Sequence, residues 1–296
     1  MIKRTETLLK PGVQVGPYRV DRFKTKTRLS EIAEATHVET GYSVALKIPT
    51  GPEGQELLEN EMTIYHCLRG IKNLYLVTMH GSGLWGDTPY IATEWQSNGT
   101  LQERIPTPPS APELTDTIAQ PPSPRVLQRN LKIVADAAAG LAALHENATV
   151  HRDIKPANVA VDDVNTGKLL DFGLAASMNS ALYSEPGMID GTLGQSIPPE
   201  IFLDGAIAAP SRDVWAMATT AFRSLTGVMV FGEPNPADPI EHYRQIVKGP
   251  QQTLRDFHPN ASSDLDSIIT EGLNPDPTKR PSAAEMRDVF NSSTIS

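Results

Sequence analysis

Residues 151–158 read HRDIKPAN, and residues 171–173 read DFG. Both stretches carry polar or charged side chains next to apolar runs such as NVAV and KLL, which are typical of buried strands. A charged group close to a protein core is costly unless a partner compensates it. Metal ions and phosphate groups are the partners that this combination of side chains favours.

The bulk composition indicates an acidic globular protein. The chain has 296 residues, of which 39% are hydrophobic, and its net charge is −9. This length favours one large domain or two coupled lobes. The acidic balance disfavours nucleic acid and anionic membranes as main partners, and we expect neither. The longest apolar region, residues 213–231, contains Arg223 and predicts a buried helix rather than a bilayer span.

Cysteine usage indicates the cellular compartment. Cys67 is the single cysteine, so no disulfide can form within the chain. Proteins of reducing compartments typically lack disulfides, and we therefore expect a cytoplasmic location. The sequence leaves the oligomeric state open.

Strand-like and helical patterns occupy different halves of the chain. The first half contains five strand-like runs separated by Gly, Thr and Asp: YRVDRF, EIAEATHV, YSVALKI, YLVTMHG and PYIATEW. A helical pattern interrupts these runs at residues 56–68. From about residue 100 the chain is mainly helical, and residues 125–147 predict a long amphipathic helix.

We therefore predict an α+β fold in which two lobes form one domain. Residues 1–95 would form the N-lobe and residues 96–296 the C-lobe. Residues 105–125 are rich in proline and predict a surface insertion, which is either a passive loop or a docking segment for a partner. A strand-rich half, a helical half and the polar segment at 151–173 outline a phosphotransferase with its site in the crevice between the lobes.

Six motifs occur in the order and rough spacing of one enzyme family. They are VALKI, HRDIKPAN, DFGLA, PPE, SRDVWAMA and PDPTKRP. Over residues 18–290 the chain resembles the eukaryotic-like serine/threonine protein kinases, which are also common in bacteria. The resemblance implies a bilobal protein kinase-like fold with an antiparallel N-lobe sheet, one N-lobe helix and a helical C-lobe. It also implies transfer of the ATP γ-phosphoryl group to serine or threonine hydroxyls of protein substrates, including the chain itself.

The resemblance assigns the chemistry to residues of HRDIKPAN and DFG. Asp153 corresponds to the catalytic base, which orients the acceptor hydroxyl and takes its proton. Lys155 would neutralise charge on the transferring phosphoryl group. Asn158 and Asp171 would hold Mg²⁺ or Mn²⁺ through oxygen atoms, the ligands that hard cations prefer.

Lys47 lies within the strand-like run VALKI, where a lysine is unusual without a partner. The resemblance makes Lys47 a ligand of the ATP phosphates that pairs with a helix glutamate, for which Glu59 and Glu61 are candidates. Apolar residues follow Glu61 at helical spacing and favour it over Glu59. These residues are Ile64, Tyr65 and Leu68.

Further positions would bind the adenine. In the segment PYIATEWQSNG, the resemblance makes Thr93 the gatekeeper and assigns the reading of the adenine edge to backbone groups of Glu94 and Gln96. Ala160 would form the floor of the pocket. Ile32 and Ala45 complete the predicted nucleotide-binding set.

Residues 25–32, which read TKTRLSEI, depart from the family pattern GxGxxGxV. Glycines let the backbone approach phosphate closely, so their absence predicts weakened or reshaped ATP binding. Lys26, Arg28 and the hydroxyl groups of this stretch could replace some of the lost amide contacts.

Other family positions predict scaffold and regulation. Asp213 would tie the catalytic loop to a central helix, and Glu200 would form a buried ion pair with Arg280. Arg152 would pair with a phosphate on the segment after DFG. Candidate acceptors there, unless they are solvated loop residues, are Ser177, Ser180, Tyr183 and Ser184.

Two other functions compete with an active protein kinase. A pseudokinase scaffold is supported by the glycine-free stretch and opposed by the retention of Lys47, Asp153, Asn158 and Asp171. A small-molecule phosphotransferase would share the catalytic Asp and Asn. It would usually lack the DFGLA and PPE motifs and the distant arginine.

Overall fold

A computed structural model of the chain describes residues 6–71, 73–105, 123–178, 197–201, 209–233 and 238–295. The chain divides into two compact units. The first unit holds residues 1–72, 77–97 and 171–175, and the second holds residues 73–76, 98–170 and 176–296. The DFG motif thus belongs to the first unit and HRDIKPAN to the second. The domain boundary between residues 95 and 96 stays a prediction.

A six-stranded antiparallel sheet dominates the first unit. Strands β1 to β6 span Gln14–Val15, Tyr18–Lys26, Ser30–His37, Ser43–Pro49, Met79–Trp85 and Thr88–Glu94. Their order across the sheet is β1-β2-β3-β4-β6-β5, so that β4 pairs with β6. The β-branched and aromatic residues of these runs suit a pleated, half-buried surface.

The two faces of this sheet carry different side chains, because successive side chains of a strand point to opposite faces. One face is apolar and packs against the N-terminal segment, whose Leu9 is fully buried. Its strand residues include Ala33, Ala35, Val44, Leu46 and Ile48. The opposite face carries the alternate residues of β3 and β4, among them Lys47.

Helix α1, Gly51–Cys67, connects β4 to β5. It begins after the extended residue Thr50, with a proline in its first turn and Glu53 near the positive end of the helix dipole. Its inward face buries Leu58, Ile64 and Tyr65. Among its described residues, the first unit therefore contains an antiparallel sheet and one helix, as the sequence predicts.

The second unit is mainly helical, which confirms the α+β prediction. Helices α2 to α7 of the described residues span Pro124–Glu146, Pro210–Thr226, Pro239–Lys248, Leu254–Phe257, Ser263–Gly272 and Ala283–Ser292. Two short antiparallel ladders pair β7 (Thr149–Val150) with β10 (Ala176–Ser177), and β8 (Val159–Val161) with β9 (Gly167–Leu169).

Helices α2 and α3 form the core of this unit. The predicted stripe of α2 is buried along its whole length, from Leu127 to Leu144. Helix α3 buries nearly every residue from Asp213 to Leu225, which confirms the buried helix predicted for this apolar region. It ends at Gly227, whose φ of 78° is the left-handed conformation typical of a helix C-terminus.

The predicted ion pair between Glu200 and Arg280 packs beside α3. Arg280 Nη1 and Nη2 donate to the two oxygens of Glu200 at 2.6 and 2.7 Å. The guanidinium also lies 4.9 Å from the ring centroid of Trp215, which is fully buried. This side chain thus joins segments that are 80 residues apart in the chain.

The prediction for β5 is wrong at its start. The run YLVTMHG predicted a strand over residues 75–81, but β5 begins at Met79. Residues 73–76 belong to the second unit, where the carbonyl of Tyr75 accepts a hydrogen bond from the Leu169 N–H at 2.8 Å. A short apolar run does not by itself reveal which part of the core buries it.

Two predictions fall partly outside the described residues. One is the proline-rich insertion, of which residues 106–122 are not described, and the other is the set of candidate acceptors Ser180, Tyr183 and Ser184.

Among the described residues, no helix combines the length and the apolar character that a bilayer span needs.

Candidate active site

Four of the predicted nucleotide-binding residues share one face of the sheet in the first unit. Ile32 lies opposite Lys47 in the register of β3 and β4, and Ala45 lies opposite Thr93 in the register of β4 and β6. Because Ala45 and Lys47 are two residues apart in one strand, both pairs point to the same side. All four side chains are partly exposed.

Lys47 lies between two carboxylates. Its Nζ donates to Glu61 Oε2 at 2.8 Å and to Asp171 Oδ1 at 3.0 Å. Glu61 is buried in α1, whereas Glu59 is exposed and accepts a hydrogen bond from Gln55. Glu61 is therefore the carboxylate of α1 that pairs with Lys47.

This group of three side chains carries an excess negative charge. Burial lowers the pKa of Lys47, but the charges of Asp171 and Glu61 outweigh burial and raise that pKa above its usual value. Burial also raises the pKa of Glu61; the charge of Lys47 opposes this rise and that of Asp171 adds to it. Two carboxylates share one ammonium group, so a divalent cation at Asp171 would offset the excess charge. The residues thus fit Mg²⁺.

The DFG motif packs against α1 within the first unit. Phe172 is fully buried, and its ring meets that of Tyr65 edge to face with centroids 4.9 Å apart. Asp171 has a φ of 65°, a left-handed conformation that is unfavourable for a residue other than glycine. The packing of Phe172 therefore helps to hold Asp171 in the conformation in which it meets Lys47.

A second anchor of the DFG segment is Asn60. Its Nδ2 donates to the carbonyl oxygens of Gly173 and Ala175 at 2.8 and 2.9 Å. The sequence pattern does not single out Asn60, because an asparagine in a helix belongs to no motif in this chain. The one available signal is its place in α1 directly before Glu61.

In the second unit, HRDIKPAN brings three polar side chains together. Lys155 Nζ donates to the two oxygens of Asp153 at 3.0 and 2.8 Å. Asn158 Nδ2 donates to the Asp153 carboxylate and to its backbone carbonyl, each at 2.8 Å. Because the amide nitrogen of Asn158 is used in this way, its Oδ1 is the atom suited to a cation.

Asp213 at the start of α3 holds the backbone that precedes Asp153. Its two carboxylate oxygens accept hydrogen bonds from the N–H groups of His151 and Arg152 at 2.8 and 2.7 Å. His145 Nε2 lies 3.0 Å from Asp213 Oδ2. Burial raises the pKa of Asp213, but the hydrogen bond and charge of His145 and the contacts with His151 outweigh it, so this pKa lies below its usual value. Arg152 has a φ of 66°, which these bonds help to maintain.

The His151 side chain adds a further link inside this loop. The ring is fully buried, its Nδ1 accepts the Asp153 N–H at 3.3 Å, and its Nε2 lies 3.1 Å from the Leu170 carbonyl. A carbonyl accepts only from a protonated nitrogen, so these contacts favour a proton on Nε2. The histidine of HRDIKPAN therefore orients the backbone at Asp153.

The predicted adenine contacts remain predictions. The Glu94 N–H donates to the Thr78 carbonyl at 2.9 Å, and Gln96 Nε2 donates to the Glu94 carboxylate at 2.6 Å. Ala160 is buried in β8 of the second unit and forms a bridge with Thr100.

The glycine-free stretch forms the tip of the β2–β3 hairpin, and its polar groups have partners inside the protein. Thr27 Oγ1 accepts the N–H groups of Leu29 and Ser30 at 3.1 and 3.0 Å. Lys26 pairs with Glu31 at 2.6 Å, and Arg28 pairs with Glu53. That Lys26, Arg28 and the hydroxyl groups of this stretch replace some of the lost amide contacts at a phosphate stays a prediction.

Comparison with known proteins identifies the family. Residues 27–290 match the family described as "Protein kinase domain". The chain belongs to the protein kinase domain family. The four residues Lys47, Asp153, Asn158 and Asp171 lie within the matched range of this kinase domain.

Three relatives carry names that include kinase activity. The chain is 24% identical over 276 residues to the "Probable serine/threonine-protein kinase pknA2" of Bifidobacterium longum, covering 91% of this chain and 34% of the relative. It is 31% identical over 205 residues to the "Serine/threonine-protein kinase PknB" of Mycobacterium leprae, covering 68% and 30%. It is 24% identical over 277 residues to the "CBL-interacting protein kinase 21" of Oryza sativa subsp. japonica, covering 91% and 48%.

The kinase domain thus spans about a third of the length of the first two relatives. All three printed names include protein kinase, and two specify serine/threonine. None of them describes a small-molecule phosphotransferase.

Proposed function

We propose that this protein is a serine/threonine protein kinase that transfers the γ-phosphoryl group of ATP to hydroxyl groups of proteins. The observation that carries the proposal is the arrangement of Asp153, whose carboxylate is bonded to Lys155 and Asn158 while Asp213 holds the backbone before it. The names of the relatives support serine and threonine as acceptors.

Asp153 would act on the acceptor hydroxyl. As a carboxylate it accepts hydrogen bonds, so it orients the hydroxyl oxygen toward the phosphorus and receives the proton at one of its oxygens. Asn158 donates to the same carboxylate and limits its rotation. A positioned general base of this kind typically contributes about 10²–10⁴-fold to the rate.

Two lysines would balance phosphate charge. Lys155 is partly exposed and already lies against Asp153, so it is placed to face charge on the transferring phosphoryl group. Lys47, held by Glu61 and Asp171, would bind the α- and β-phosphates. The retention of these charged groups favours catalysis over a pseudokinase scaffold.

Asn158 and Asp171 would supply oxygen ligands to Mg²⁺. Bound there together with ATP, the ion would neutralise phosphate charge. Among the described residues, no cluster of three or more His, Cys, Asp or Glu side chains could hold a metal alone. Mg²⁺ commonly takes one or two carboxylates and completes its shell with substrate phosphates and water, which suits this small donor set.

The proposal also covers the cell compartment and the substrates. A single cysteine supports a cytoplasmic location for this part of the protein. Protein serine and threonine side chains are the proposed substrates, with the chain itself among them.

Incorporation of labelled phosphate from ATP tests the proposal. The wild-type protein with Mg²⁺ or Mn²⁺ should label itself or a generic protein substrate such as casein, and Asp153→Asn should lower the rate by about 10²-fold or more. Asp162→Asn, a change at a loop position near β8, serves as the control and should retain activity. Equal silence of the wild type and Asp153→Asn with either metal would contradict the proposal.

A further inference from the structure

The tip of the β2–β3 hairpin is fastened to the start of α1 by several contacts inside the first unit. Arg28 and Glu53 form a two-fold hydrogen-bonded ion pair at 2.8 and 3.0 Å. Thr50 Oγ1 donates to the Arg28 carbonyl at 2.6 Å, and the Thr50 N–H donates to the Leu29 carbonyl at 2.9 Å. The hairpin tip is thus attached to the start of α1 through both main-chain and side-chain groups.

Helix α1 approaches this tip too closely for a side chain. A Cβ atom added to Gly54 would lie 2.0 Å from the Leu29 carbonyl oxygen and 2.9 Å from its carbon. Both atoms are backbone, so neither can move away cheaply. Glycine at position 54 is therefore required for the first turn of α1 to pack on the hairpin.

A second anchor holds the same hairpin from the apolar face of the sheet. Glu31 is fully buried, and its Oε2 accepts the N–H groups of Leu8 and Leu9 at 2.8 and 3.1 Å. Its Oε1 accepts from Lys26 Nζ at 2.6 Å. The N-terminal segment is thereby joined to the strand residue that precedes Ile32.

From these contacts we infer that Glu53, Thr50 and Glu31 are positioning residues. They clamp the β2–β3 hairpin, whose tip lacks the glycines of the family pattern, in one arrangement. The inference rests on the proposed function, in which Ile32 and this hairpin cover the nucleotide. Helix α1 carries both Glu53 and Glu61, so the clamp ties the hairpin to the helix that positions Lys47. A stretch without glycine keeps one shape and does not have to be ordered by each nucleotide.

We expect the clamp to raise the affinity for the nucleotide. The apparent affinity for a ligand falls with the fraction of molecules whose site is in the competent arrangement. Loss of one exposed ion pair and one hydrogen bond shifts such an equilibrium by about 3- to 30-fold. The clamp residues Thr50 and Glu53 belong to no predicted nucleotide-binding set, so an effect on affinity would be indirect.

Hydrogen exchange of the full chain without nucleotide tests the clamp first. In the variant Thr50→Val/Glu53→Gln, amides of residues 27–30 should exchange about threefold faster or more. Arg22→Gln is the matched control, because it removes the ion pair between Arg22 and Glu34 of the same hairpin. Arg22 is 70% exposed, and Arg28, whose ion pair the double variant removes, is 69% exposed. Exchange in the double variant that equals the control would overturn the inference.

Calorimetric titration with Mg²⁺ and ATP tests the link to the site. The double variant should bind ATP about threefold more weakly or worse, with KM for ATP raised more than kcat is lowered. Faster exchange with unchanged ATP affinity would overturn the positioning role. A wild type that neither binds ATP nor transfers phosphate would instead refute the proposed function, and the exchange experiment would still judge the clamp.

Glu31→Gln tests the second anchor by the same two measurements. The amide can accept hydrogen bonds but gives Lys26 no charge, so exchange should accelerate in residues 6–10 as well as in the hairpin. If Glu31→Gln fails to fold, the double variant at Thr50 and Glu53 decides the inference alone.

Discussion

At the scale of single residues, two buried carboxyl groups lie beside the predicted chemistry. Glu61 is 3% exposed and Asp213 is 1% exposed, and each has a cation or several N–H donors as partners. A buried charge of this kind adds little net stability while its partners are present. Removal of one partner, however, leaves the other uncompensated.

Lys47→Met should destabilise the first unit as well as abolish phosphate transfer. The change removes the ammonium group that Glu61 and Asp171 share, and the loss of one partner of a buried pair costs about 3–5 kcal/mol. We expect the low end of this range, because the Lys47 side chain is 19% exposed. Urea unfolding at pH 7 measures the change.

An exposed ion pair provides the control for this prediction. Arg244 pairs with Glu241 at 3.4 Å on α4, and both side chains are largely in solvent. Arg244→Met should leave the free energy of unfolding unchanged within about 0.5 kcal/mol. Equal effects of Lys47→Met and Arg244→Met would contradict the role of burial.

Asp213→Asn should make the stability less dependent on acid pH. Folding lowers the pKa of Asp213, so its carboxylate stabilises the native state above the unfolded pKa of about 3.9. This contribution is lost as the pH falls through the lower, folded pKa. The stability difference between the wild type and Asp213→Asn, about 2 kcal/mol or more at pH 7, should therefore shrink below about pH 4. Urea titrations at several pH values between 3 and 7 measure it; a constant difference would contradict the assignment.

At the scale of elements, α1 is the organising part of the first unit. Its first turn contacts the hairpin tip through Glu53, its middle holds Lys47 through Glu61, and Asn60 holds the DFG segment. One rigid helix therefore fixes the relative positions of three segments that are distant in the chain. A local change in α1 should accordingly alter several of them together.

Asn60→Ala should loosen the DFG segment without disrupting the helix. The substitution leaves the carbonyls of Gly173 and Ala175 without their side-chain donor, which costs about 1–3 kcal/mol if they stay buried. Alanine itself favours a helix. Hydrogen exchange of residues 171–175 should accelerate, and phosphate transfer should fall more than ATP binding.

Thr63→Ala on the same helix is the matched control. Thr63 Oγ1 donates only to the Glu59 carbonyl of its own helix and is exposed. This change should alter stability by about 0.5 kcal/mol or less. If both variants leave exchange in residues 171–175 unchanged, Asn60 does not anchor the segment.

At the scale of the whole molecule, each compact unit is built from several separate stretches of the chain. The chain enters the second unit at residues 73–76 and again at 98–170, and residues 171–175 return to the first. HRDIKPAN and DFG are near neighbours in the sequence but are held by different sets of contacts. Pairs far apart in the chain, such as Glu200 and Arg280, then determine how each unit holds together.

Arg280→Met should destabilise the second unit strongly. The guanidinium contacts both oxygens of Glu200, the carbonyls of Ser211 and Asn274, and the ring of Trp215. Its loss should lower the free energy of unfolding by about 3–5 kcal/mol. Arg280→Lys should recover only part of this, because an ammonium group cannot make the planar two-fold contact.

Thermal and urea unfolding of the two variants measure this effect. The expected order of stability is wild type, then Arg280→Lys, then Arg280→Met. Equal stability of Arg280→Lys and the wild type would show that charge alone, and not the geometry of the guanidinium, holds Glu200 in place.

The sequence by itself determined the family, the α+β class and the residues expected to carry the chemistry. Motifs such as HRDIKPAN and DFG are local, and so is the helical spacing that selects Glu61 over Glu59. A local pattern can be interpreted without knowledge of the rest of the chain. The start of β5 was predicted wrongly, since the same apolar run suits either unit.

Beyond the pairs that the resemblance implied, such as Glu200 with Arg280, only the tertiary structure decided which side chains meet over long distances in the chain. Lys47 and Asp171 are 124 residues apart, and Asn60 and Gly173 are 113 apart. The contacts of Arg28 with Glu53 and of Glu31 with the N-terminal segment likewise follow no motif of the sequence. Such contacts depend on how strands and helices pack, because a side chain's partners are set by the faces that the fold brings together and not by its neighbours in the sequence.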